Sequence, residues 1–301
     1  MHTPRIGIII VNWNGMKDTL ACLSSLKTMK GRNDCIVCVV DNASSDESIE
    51  QIQKNYPEVV IVKEKTNEGF CKANNDGMKK VLSMGVEYIW LLNNDTTVDP
   101  SALMAIKEFD DASVGAVGSK IYFSKGCEYH ASRYTKKELG KVIWYAGGVI
   151  DWENMYASHR GVDEVDHGQY DTSETTSFIT GCSIFVKKEV IEKVGMLDEG
   201  YYLYLEDLDW SHRIQMAGYK TMYSPSSIVW HTNAASSGKP GSKLHEYYQS
   251  RNRLLFGISY APLRTKVALL KEAFKWLRGG SVEKKKAVKD YLCGTFGKQY
   301  E

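Results

Sequence analysis

The sequence contains no hydrophobic run long enough to cross a bilayer. Its longest apolar stretches, IGIIIV and YIWLL, fall far short of the roughly 20 residues that a transmembrane helix needs. The N-terminal residues lack the long apolar core and the cleavage site of a signal peptide. The seven cysteines, an odd number scattered through apolar segments, fit reduced thiols better than a disulfide framework. We therefore expect a cytoplasmic protein.

The sequence also carries almost no net charge. A formal net charge of +1 over 301 residues gives no global attraction to nucleic acid, so we expect no nucleic-acid partner. The charge is nevertheless uneven, because residues 262–301 hold ten Lys or Arg against four Asp or Glu. In this basic segment an apolar stripe recurs at helical spacing, formed by Leu263, Val267, Leu270, Phe274 and Leu277.

Two interpretations of that basic amphipathic helix stay open. We favour packing of the apolar stripe on the rest of the protein or on another subunit, which would make a homodimer. The alternative is peripheral contact with an anionic surface at the inner face of the cell membrane.

The common nucleotide-binding fingerprints are missing. The first turn reads NWNG and lacks GxGxxG, no GxxxxGK[ST] is present, and the N-terminus has no Gly-rich loop with a basic residue as in nucleotide-sugar pyrophosphorylases. Cys35 and Cys38 form a CxxC, but it lies in the β-like run CIVCVV without a second CxxC or a paired histidine. We therefore predict neither a redox nor a zinc site there.

Four strand–loop–helix units can be read in the first 110 residues. RIGIIIVNWN, CIVCVVD, VVIVKEK and VEYIWLL are apolar runs, each followed by a segment with helical spacing, the last being SALMAIKEF. Strands of this kind alternating with helices predict an α/β fold with a mostly parallel sheet that binds ligands at the carboxyl ends of its strands.

All four strands end in polar or acidic residues, which should share one edge of the sheet. These residues are Asn12 and Asn14, Asp41 and Asn42, Asn67 and Glu68, and Asn93, Asn94 and Asp95. Oxygen-rich strand ends suit a ligand whose phosphates arrive with a divalent metal, because Mg²⁺ prefers oxygen ligands and bridges carboxylate to diphosphate. We therefore predict Asp95 as the metal anchor.

The second half of the chain carries a separate acidic cluster. Beyond residue 114 the pattern changes to shorter β-like pieces, and Glu206, Asp207 and Asp209 begin a predicted helix, where the helix dipole favours carboxylates. Crowded carboxylates raise one another's pKa, which suits a general base at neutral pH. Arg251 and Arg253 are candidates for a diphosphate clamp, since guanidinium binds phosphate bidentately; a solvated helix face is the alternative.

Six segments taken in order carry a family resemblance. IIIVNWNG, VVDNASSDES, NEGFCKANNDG, LLNNDT, VGMLDEGYYLYLEDLDWSHR and RNRLLF together resemble a family 2 glycosyltransferase with the GT-A fold, most similar to its rhamnosyltransferase-like branch. The resemblance implies a nucleotide-sugar-binding half over residues 1–118, an acceptor-binding catalytic half over 119–235, and a C-terminal helical extension over 236–301.

The resemblance also implies roles for single residues. Asp207 would be the base, with Glu206 or Asp209 helping to position the acceptor, and Asp95 with His231 would hold Mg²⁺ or Mn²⁺. The NND segment stands in the place of the family's DxD motif, from which it departs because Asn93 replaces the first carboxylate. The predicted donor-binding residues are Asn12, Asn14, Asp41, Asn42, Asn67, Gly69, Asn74, Asn93, Asn94, Arg251 and Arg253.

The predicted activity is an inverting, metal-dependent transfer of a sugar to a hydroxyl of a bacterial cell-surface polysaccharide or glycolipid precursor. The resemblance implies dTDP-L-rhamnose as donor, with a UDP-sugar as the alternative, and a glycan or lipid-linked acceptor. Two alternative functions stay open: a sugar-phosphate nucleotidyltransferase, and a non-catalytic nucleotide-sugar-binding protein of the same fold.

Overall fold

The structure is a computed structural model that describes residues 5–232 and 241–299. Its strands are β1 (Ile6–Asn12), β2 (Cys35–Asp41), β3 (Val60–Lys63), β4 (Tyr88–Leu92), β5 (Thr96–Val98), β6 (Val114–Phe123), β7 (Ile143–Tyr145), β8 (Gly148–Asp151), β9 (Tyr156–His159), β10 (Glu174–Thr175), β11 (Ser183–Lys187) and β12 (Lys220–His231). Its helices are α1 (Met16–Lys27), α2 (Ser48–Asn55), α3 (Gly69–Leu82), α4 (Lys188–Val194), α5 (Glu206–Met216), α6 (Lys243–Tyr260), α7 (Leu263–Gly279) and α8 (Val282–Leu292), with 3-10 helices at Arg32–Asp34, Ala102–Asp110 and Ala131–Arg133.

The first four strands form the predicted parallel sheet. β1 pairs in parallel with β2 and with β4, and β2 pairs in parallel with β3. Ile8, Ile9 and Ile10 of β1 are fully buried, as expected for a strand that is covered on both faces. The sequence prediction of an α/β fold with successive strand–helix units is confirmed for this region.

The fourth predicted helix is wrong in type. SALMAIKEF forms a 3-10 helix over Ala102–Asp110 and not an α-helix. Its first turns close with short-range bonds, from the Ala102 N–H to the Asp99 carbonyl at 2.9 Å and from the Met104 N–H to the Ser101 carbonyl at 2.8 Å. Such i to i+3 bonds wind the backbone more tightly than an α-helix does.

One strand joins the two halves of the chain into a continuous sheet. β11 lies antiparallel to both β4 and β6, and β12 then extends the sheet in parallel with β6. The strand order is β10-β12-β6-β11-β4-β1-β2-β3, with β5 against β12 and β7 against β6. Residue 118, the predicted division between the halves, lies inside β6, and residue 235, the second predicted boundary, lies outside the described residues.

The C-terminal helices are present as predicted, but α7 turns the other way. Its buried face carries Thr265, Leu269 and Ala273, and Leu269 lies so close to Gly257 of α6 that a Cβ there would meet its Cδ1 at 2.3 Å. The larger apolar residues Leu263, Val267, Leu270 and Phe274 are exposed. The favoured packing of this stripe on the rest of the chain is therefore wrong, because close helix contact selects the face with small residues.

Two further predictions concern the CxxC pair, where neither a redox nor a zinc site was expected, and membrane-spanning helices, of which none was expected. Cys35 and Cys38 are both buried in β2, and burial raises the pKa of the Cys38 thiol to about 12, which leaves it protonated and inert. Within the described ranges, no helix combines the length and the apolar character needed to cross a membrane.

Candidate active site

A cleft of about 820 Å³ opens at the carboxyl ends of the central strands. Residues from both halves of the sheet and from the C-terminal helices line it. Among the predicted site residues, those that line the cleft are Asn42, Asn67, Gly69, Asn93, Asn94, Asp95, Glu206, Asp207, His231 and Arg253. The cleft therefore brings together the two acidic clusters that lie more than a hundred residues apart in the sequence.

Strand pairing places His231 beside Asp95. β12 pairs antiparallel with β5 so that His231 lies opposite Thr96, the residue after Asp95. The His231 Nε2 is 3.1 Å from the Asp95 Oδ1, and both side chains are buried at the base of the cleft. The Asp95 carbonyl also accepts a hydrogen bond from the Thr232 N–H at 2.9 Å. The predicted pair thus forms one small polar site.

A layer of polar side chains supports the strand ends from beneath. The Asn12 amide donates to Asp41 Oδ1 and to Ser44 Oγ, both at 3.0 Å, and its oxygen accepts from Thr19 Oγ1 at 2.6 Å. Thr19 in turn accepts from the Asn94 amide at 3.1 Å. Asn12 and Asp41 are buried in this network and do not line the cleft, so their predicted donor contacts remain a prediction, and the structure gives them a supporting role.

Asn14 lies outside the cleft as well. It is exposed, with a positive φ of 50°, and its side-chain oxygen accepts from the Ser45 N–H at 2.8 Å. The neighbouring Gly15 is required because a Cβ there would meet the Asn94 amide nitrogen at 2.5 Å. Gly15 therefore leaves room for the Asn94 side chain, which lines the cleft.

The loop before α3 forms the opposite wall. The Asn42 amide donates to Asn67 Oδ1 at 2.9 Å, and the Asn42 oxygen accepts from the Glu68 N–H at 2.8 Å. Gly69 has a φ of 83°, and a Cβ there would lie 2.2 Å from the Tyr202 ring. Gly69 is thus needed for the close approach of the Tyr202 ring, and its predicted contact with the donor remains a prediction.

Glu206 and Asp207 form the acidic end of the cleft, at the start of α5 as predicted. Burial raises the pKa of Asp207, while N–H groups of Gly181 and Leu208 donate to its carboxylate at 3.0 and 2.9 Å and oppose the rise. Burial and then the Asp207 charge raise the pKa of Glu206 well above its usual value. The direction is as predicted, and burial, not carboxylate crowding, is the main cause.

The two carboxyl groups therefore lie in different environments. Within the described part of the chain, the buried Glu206 Oε2 has no hydrogen-bond partner. A carboxyl group in such surroundings holds its proton, whereas Asp207, with two N–H donors, is the one that ionises first. Asp207 can accept a proton while the neutral Glu206 beside it can donate a hydrogen bond.

Asp209 belongs to a different environment. Its carboxylate accepts from Arg213 Nε at 2.7 Å and from the Tyr260 hydroxyl at 2.8 Å, and it does not line the cleft. It follows Asp207 by two residues, about half a turn of α5, so its side chain lies on a different face of the helix, where it bonds Arg213 and Tyr260. Its predicted positioning role is not supported by this placement.

The backbone before α5 is strained and held from α6. Tyr202, Tyr204 and Leu205 have φ values of 64°, 70° and 67°, a region that non-glycine residues rarely adopt. The Asn252 amide donates to the carbonyls of residues 201, 203 and 204 at 2.8–3.0 Å. This buried side chain contacts three carbonyls of the segment that leads into Glu206 and Asp207.

Arg251 is the clearest departure from the predicted site. It is fully buried, and its guanidinium donates to the carbonyls of Gly200, Tyr201 and Gly297 at 2.8–2.9 Å. It therefore ties the C-terminal segment to the loop before α5 and does not reach the cleft to clamp a diphosphate. Asn74 is likewise buried outside the cleft, where its amide donates to the Phe70 carbonyl at 2.9 Å.

Arg253 does line the cleft. So does Lys298, a basic residue that was not among the predicted site residues. Arg253 Nη1 is 2.6 Å from Glu272, and its other nitrogens donate to the carbonyls of Met155 and Asn154. Lys298 lines the cleft from the C-terminal segment that Arg251 holds. Its position depends on tertiary contacts, so no local sequence signal could have found it.

Aromatic rings cover much of the cleft wall. Trp144 lies edge-on between His159 and His231, at centroid distances of 4.4 and 4.5 Å, and Trp13, Tyr202 and Tyr204 line the cleft as well. Burial lowers the pKa of His159 to about 4, so this histidine is neutral at pH 7. A pocket lined by both carboxylates and aromatic rings suits a sugar, whose hydroxyl groups can hydrogen-bond while its ring packs against aromatic side chains.

The site residues fit a divalent cation. In the described residues no three His, Cys, Asp or Glu side chains form a complete metal cage, but the Asp95–His231 pair offers a carboxylate and an imidazole. Nε2 of His231 is the ring nitrogen that faces the Asp95 carboxylate, so these two atoms are the ones placed to share a cation, and the buried Nδ1 has no hydrogen-bond partner among the described residues. Such oxygen and nitrogen donors suit Mn²⁺ or Mg²⁺, and phosphate and water would have to supply the remaining ligands.

Comparison with known families decides the identity of the fold. The protein family described as Glycosyltransferase like family 2 matches residues 4–257. The chain belongs to this family. As a family 2 glycosyltransferase it has the α/β fold, the largely parallel central sheet and the C-terminal helices that the sequence resemblance implied.

Characterised relatives of this glycosyltransferase are distant. It is 25% identical over 227 residues to the N-acetylglucosaminyl-diphospho-decaprenol L-rhamnosyltransferase of Mycobacterium tuberculosis, covering 71% of this chain and 72% of the relative. It is 24% identical over 271 residues to the dTDP-rhamnosyl transferase RfbF of Shigella flexneri, covering 86% and 82%. Both relatives are rhamnosyltransferases by name.

A solved structure shares the fold at lower identity. The mannosyltransferase PcManGT from Pyrobaculum calidifontis, in complex with GDP-Man and Mn²⁺, aligns over 97% of this chain and 75% of its own, with a TM-score of 0.55 and 17% identity. This similarity supports the GT-A fold. The roles of the individual cleft residues remain predictions.

Proposed function

We propose that this family 2 glycosyltransferase is an inverting, metal-dependent enzyme that transfers L-rhamnose from dTDP-L-rhamnose. The acceptor in this proposal is a hydroxyl group of a bacterial cell-surface polysaccharide or glycolipid precursor, and the enzyme works in the cytoplasm. The names of two relatives, both rhamnosyltransferases, support the choice of sugar.

The observation that carries the proposal is the separation of two polar sites in one cleft. Asp95 and His231 form one pair at 3.1 Å, Glu206 and Asp207 form a second pair at the start of α5, and aromatic side chains line the same cleft. A single displacement needs this arrangement, because the leaving diphosphate and the attacking hydroxyl approach the anomeric carbon from opposite faces. The first pair then serves the diphosphate and the second pair serves the acceptor.

The chemistry assigned to this chain's residues is proton transfer and positioning. Asp207 accepts the proton of the acceptor hydroxyl. The hydroxyl oxygen bonds to the anomeric carbon at the same time, and the nucleoside diphosphate departs with the electron pair of the broken glycosidic bond. The neutral Glu206 donates a hydrogen bond that holds the acceptor. Trp144 and Tyr204 exclude water from the sugar and limit hydrolysis of the donor.

Asp95 and His231 are the residues that would hold the divalent cation. When bound, it would neutralise the charge that develops on the departing diphosphate. Lys298 adds positive charge on the cleft wall, where the phosphates of the donor also need compensation, and Arg253 lies on the same wall as a guanidinium already paired with Glu272.

A thermal-shift screen tests the donor and the metal together. The full-length protein is melted with dTDP-, UDP- and GDP-sugars, each with and without Mn²⁺, because a ligand that binds the folded state raises the melting temperature with its occupancy. We expect the largest shift for dTDP-L-rhamnose with Mn²⁺. A larger shift with another nucleotide sugar would reject the proposed donor.

A product assay then separates the activities. Transfer should release dTDP and extend a glycan acceptor, with inverted configuration at the anomeric carbon by NMR. Release of pyrophosphate from a nucleoside triphosphate and a sugar phosphate would indicate a nucleotidyltransferase. Donor binding without metal-dependent hydrolysis or transfer would indicate a protein that binds nucleotide sugars without catalysis.

A further inference from the structure

Helix α7 presents its large apolar residues to solvent. Leu263, Val267, Leu270 and Phe274 are 78%, 43%, 48% and 54% exposed, although each belongs to a residue type that is usually buried. At 3.6 residues per turn, the four fall within about 60° of the helix circumference. We call this row the outer stripe. It runs along most of a helix about 25 Å long.

A row of basic residues borders the outer stripe on one side. Arg264, Lys271, Lys275 and Arg278 are all exposed and fall within the next roughly 60° of the helix surface. We call them the basic flank. The Arg278 guanidinium lies 4.3 Å from the centre of the Phe274 ring, so the two rows are in contact. The acidic residue of α7, Glu272, lies on the far side of the helix and pairs with Arg253 at 2.6 Å.

We propose that the outer stripe and the basic flank of α7 bind the surface of an anionic lipid bilayer. In this orientation the helix lies parallel to the membrane plane, with the stripe in the boundary between headgroups and acyl chains and the flank against lipid phosphates. The buried face of α7 stays packed on α6, so docking needs no unfolding. The contact would hold the enzyme at the surface where lipid-linked acceptors reside.

Charge favours a lipid surface over a second copy of the chain. In a twofold dimer with antiparallel α7 helices packed through the outer stripe, the two basic flanks would lie on the same side of the interface, and the only carboxylate of α7 is turned away and already paired. The like charges of the two flanks would repel each other, whereas lipid phosphates attract the same residues. The surface is therefore complementary to an anionic membrane and not to itself.

Co-sedimentation of the full-length protein with vesicles tests this proposal. The vesicles consist of phosphatidylcholine alone or of phosphatidylcholine with phosphatidylglycerol. We expect binding to the anionic vesicles, weaker binding to the neutral ones, and a loss of binding as salt is raised. Leu270→Ser with Phe274→Ser should lower the partition coefficient at least tenfold, because it removes the apolar anchors.

The charge contribution has a matched control within the chain. Lys271→Ala with Lys275→Ala should lower partition onto anionic vesicles about 30-fold at low salt. Lys136→Ala with Lys137→Ala removes the same charge from an exposed loop and should leave partition within about twofold. Met216→Ser controls for the loss of an exposed apolar residue, since Met216 is 74% exposed on α5.

The outcomes separate this proposal from the proposed glycosyl transfer. All of these variants should melt like the wild type and keep the thermal shift given by the nucleotide sugar, because none of the residues lines the cleft. Failure of the wild type to bind anionic vesicles, or equal partition of the stripe variants, overturns the membrane proposal whatever the donor result. A dimer that the stripe variants dissociate, without vesicle binding, would assign the surface to a subunit interface instead.

Discussion

The two polar ends of the cleft are built in different ways. Asp95 and His231 lie at the ends of paired strands, where the register of β5 and β12 brings them to 3.1 Å. Glu206 and Asp207 follow a strained loop that depends on Asn252, a residue of a C-terminal helix. One end is thus fixed by the sheet itself, and the other by hydrogen bonds from a distant part of the chain.

This difference predicts how each end responds to substitution. Removing a side chain at the sheet end should change ligand binding and leave the backbone in place, because the strand ladder is intact. Removing a support of the loop should disturb catalysis from a distance, because three residues with positive φ hold their conformation only while their surroundings enforce it. Four substitutions test the comparison, in decreasing order of expected effect.

Asp207→Asn should have the largest effect on catalysis. The amide keeps the shape of the carboxylate but cannot take the acceptor proton, so we expect transfer to fall on the order of 10²- to 10⁴-fold. Donor affinity should stay close to that of the wild type, because the sheet end of the cleft is unchanged. Steady-state transfer kinetics and calorimetric titration of the donor measure the two quantities separately.

Asp209→Asn is the matched control for this substitution. It changes the same functional group two residues away, where the carboxylate bonds Arg213 and Tyr260 outside the cleft. We expect the free energy of unfolding to fall, because these two bonds are weakened. The rate of sugar transfer should stay within a few-fold of the wild-type rate. If Asp209→Asn or Glu206→Gln abolishes transfer while Asp207→Asn does not, the base has been assigned to the wrong carboxylate.

Asp95→Ala should remove the Mn²⁺-dependent part of donor binding. It deletes the only carboxylate of the NND segment, which also faces His231 in the cleft. Asn93→Ala is the control, since a neutral amide contributes at most one weak ligand or hydrogen bond. Calorimetry with and without Mn²⁺ should show a large loss for the first variant and a small one for the second; equal Mn²⁺ dependence in Asp95→Ala would exclude Asp95 as a ligand.

The sheet end of the cleft could be predicted from the sequence for a physical reason. A parallel strand with apolar residues on both faces is visible as a local run, and its carboxyl end must lie at the same edge as its neighbours' ends. This logic brought Asn42, Asn67 and Asp95 to one cleft. It could not show that Asn12 and Asp41 lie one layer below, because the depth of a side chain depends on the loops that cover it.

Long-range packing explains the predictions that were wrong. Arg251 was expected at the diphosphate, but the C-terminal segment returns to it and supplies a carbonyl from Gly297, a contact with no local signature. The stripe of α7 was expected to be buried because periodicity defines a face without stating which face meets the core. Here the smaller residues on the other side, Thr265 and Ala273, permit the closer contact.

Asn252→Ala tests the dependence of the acidic end on α6. The substitution removes a side-chain donor from the carbonyls of Leu203 and Tyr204 and the acceptor of Arg251 Nε, while the Tyr201 carbonyl keeps its bond from Arg251, and it should cost about 2–4 kcal/mol of unfolding free energy. We expect transfer to drop about tenfold at temperatures where the variant is fully folded, with donor affinity retained, because Glu206 and Asp207 lose their fixed placement.

Asn74→Ala provides the comparison for that variant. Asn74 is also a buried asparagine, but its amide donates to a single carbonyl within α3. Chemical denaturation should show a loss of about 1 kcal/mol, and transfer should change little. Equal effects of the two substitutions on transfer would mean that the loop before α5 does not depend on Asn252.

Glu206→Gln should give the smallest effect, visible as a change in how stability depends on pH. The folded-state pKa of Glu206 is raised by burial and by Asp207, so the folded protein holds this proton where the unfolded chain has released it. The stability contributed by the bound proton is complete below the unfolded pKa and is lost as pH rises toward the folded value.

Glutamine keeps the shape of the Glu206 side chain but has no acidic proton to release. Melting temperatures of the two proteins should therefore be similar near pH 4 and diverge by a few degrees toward pH 8, with the variant more stable at the higher pH. Parallel curves over this range would show that Glu206 ionises normally in the cleft, and the division of roles between Glu206 and Asp207 would then have to be abandoned.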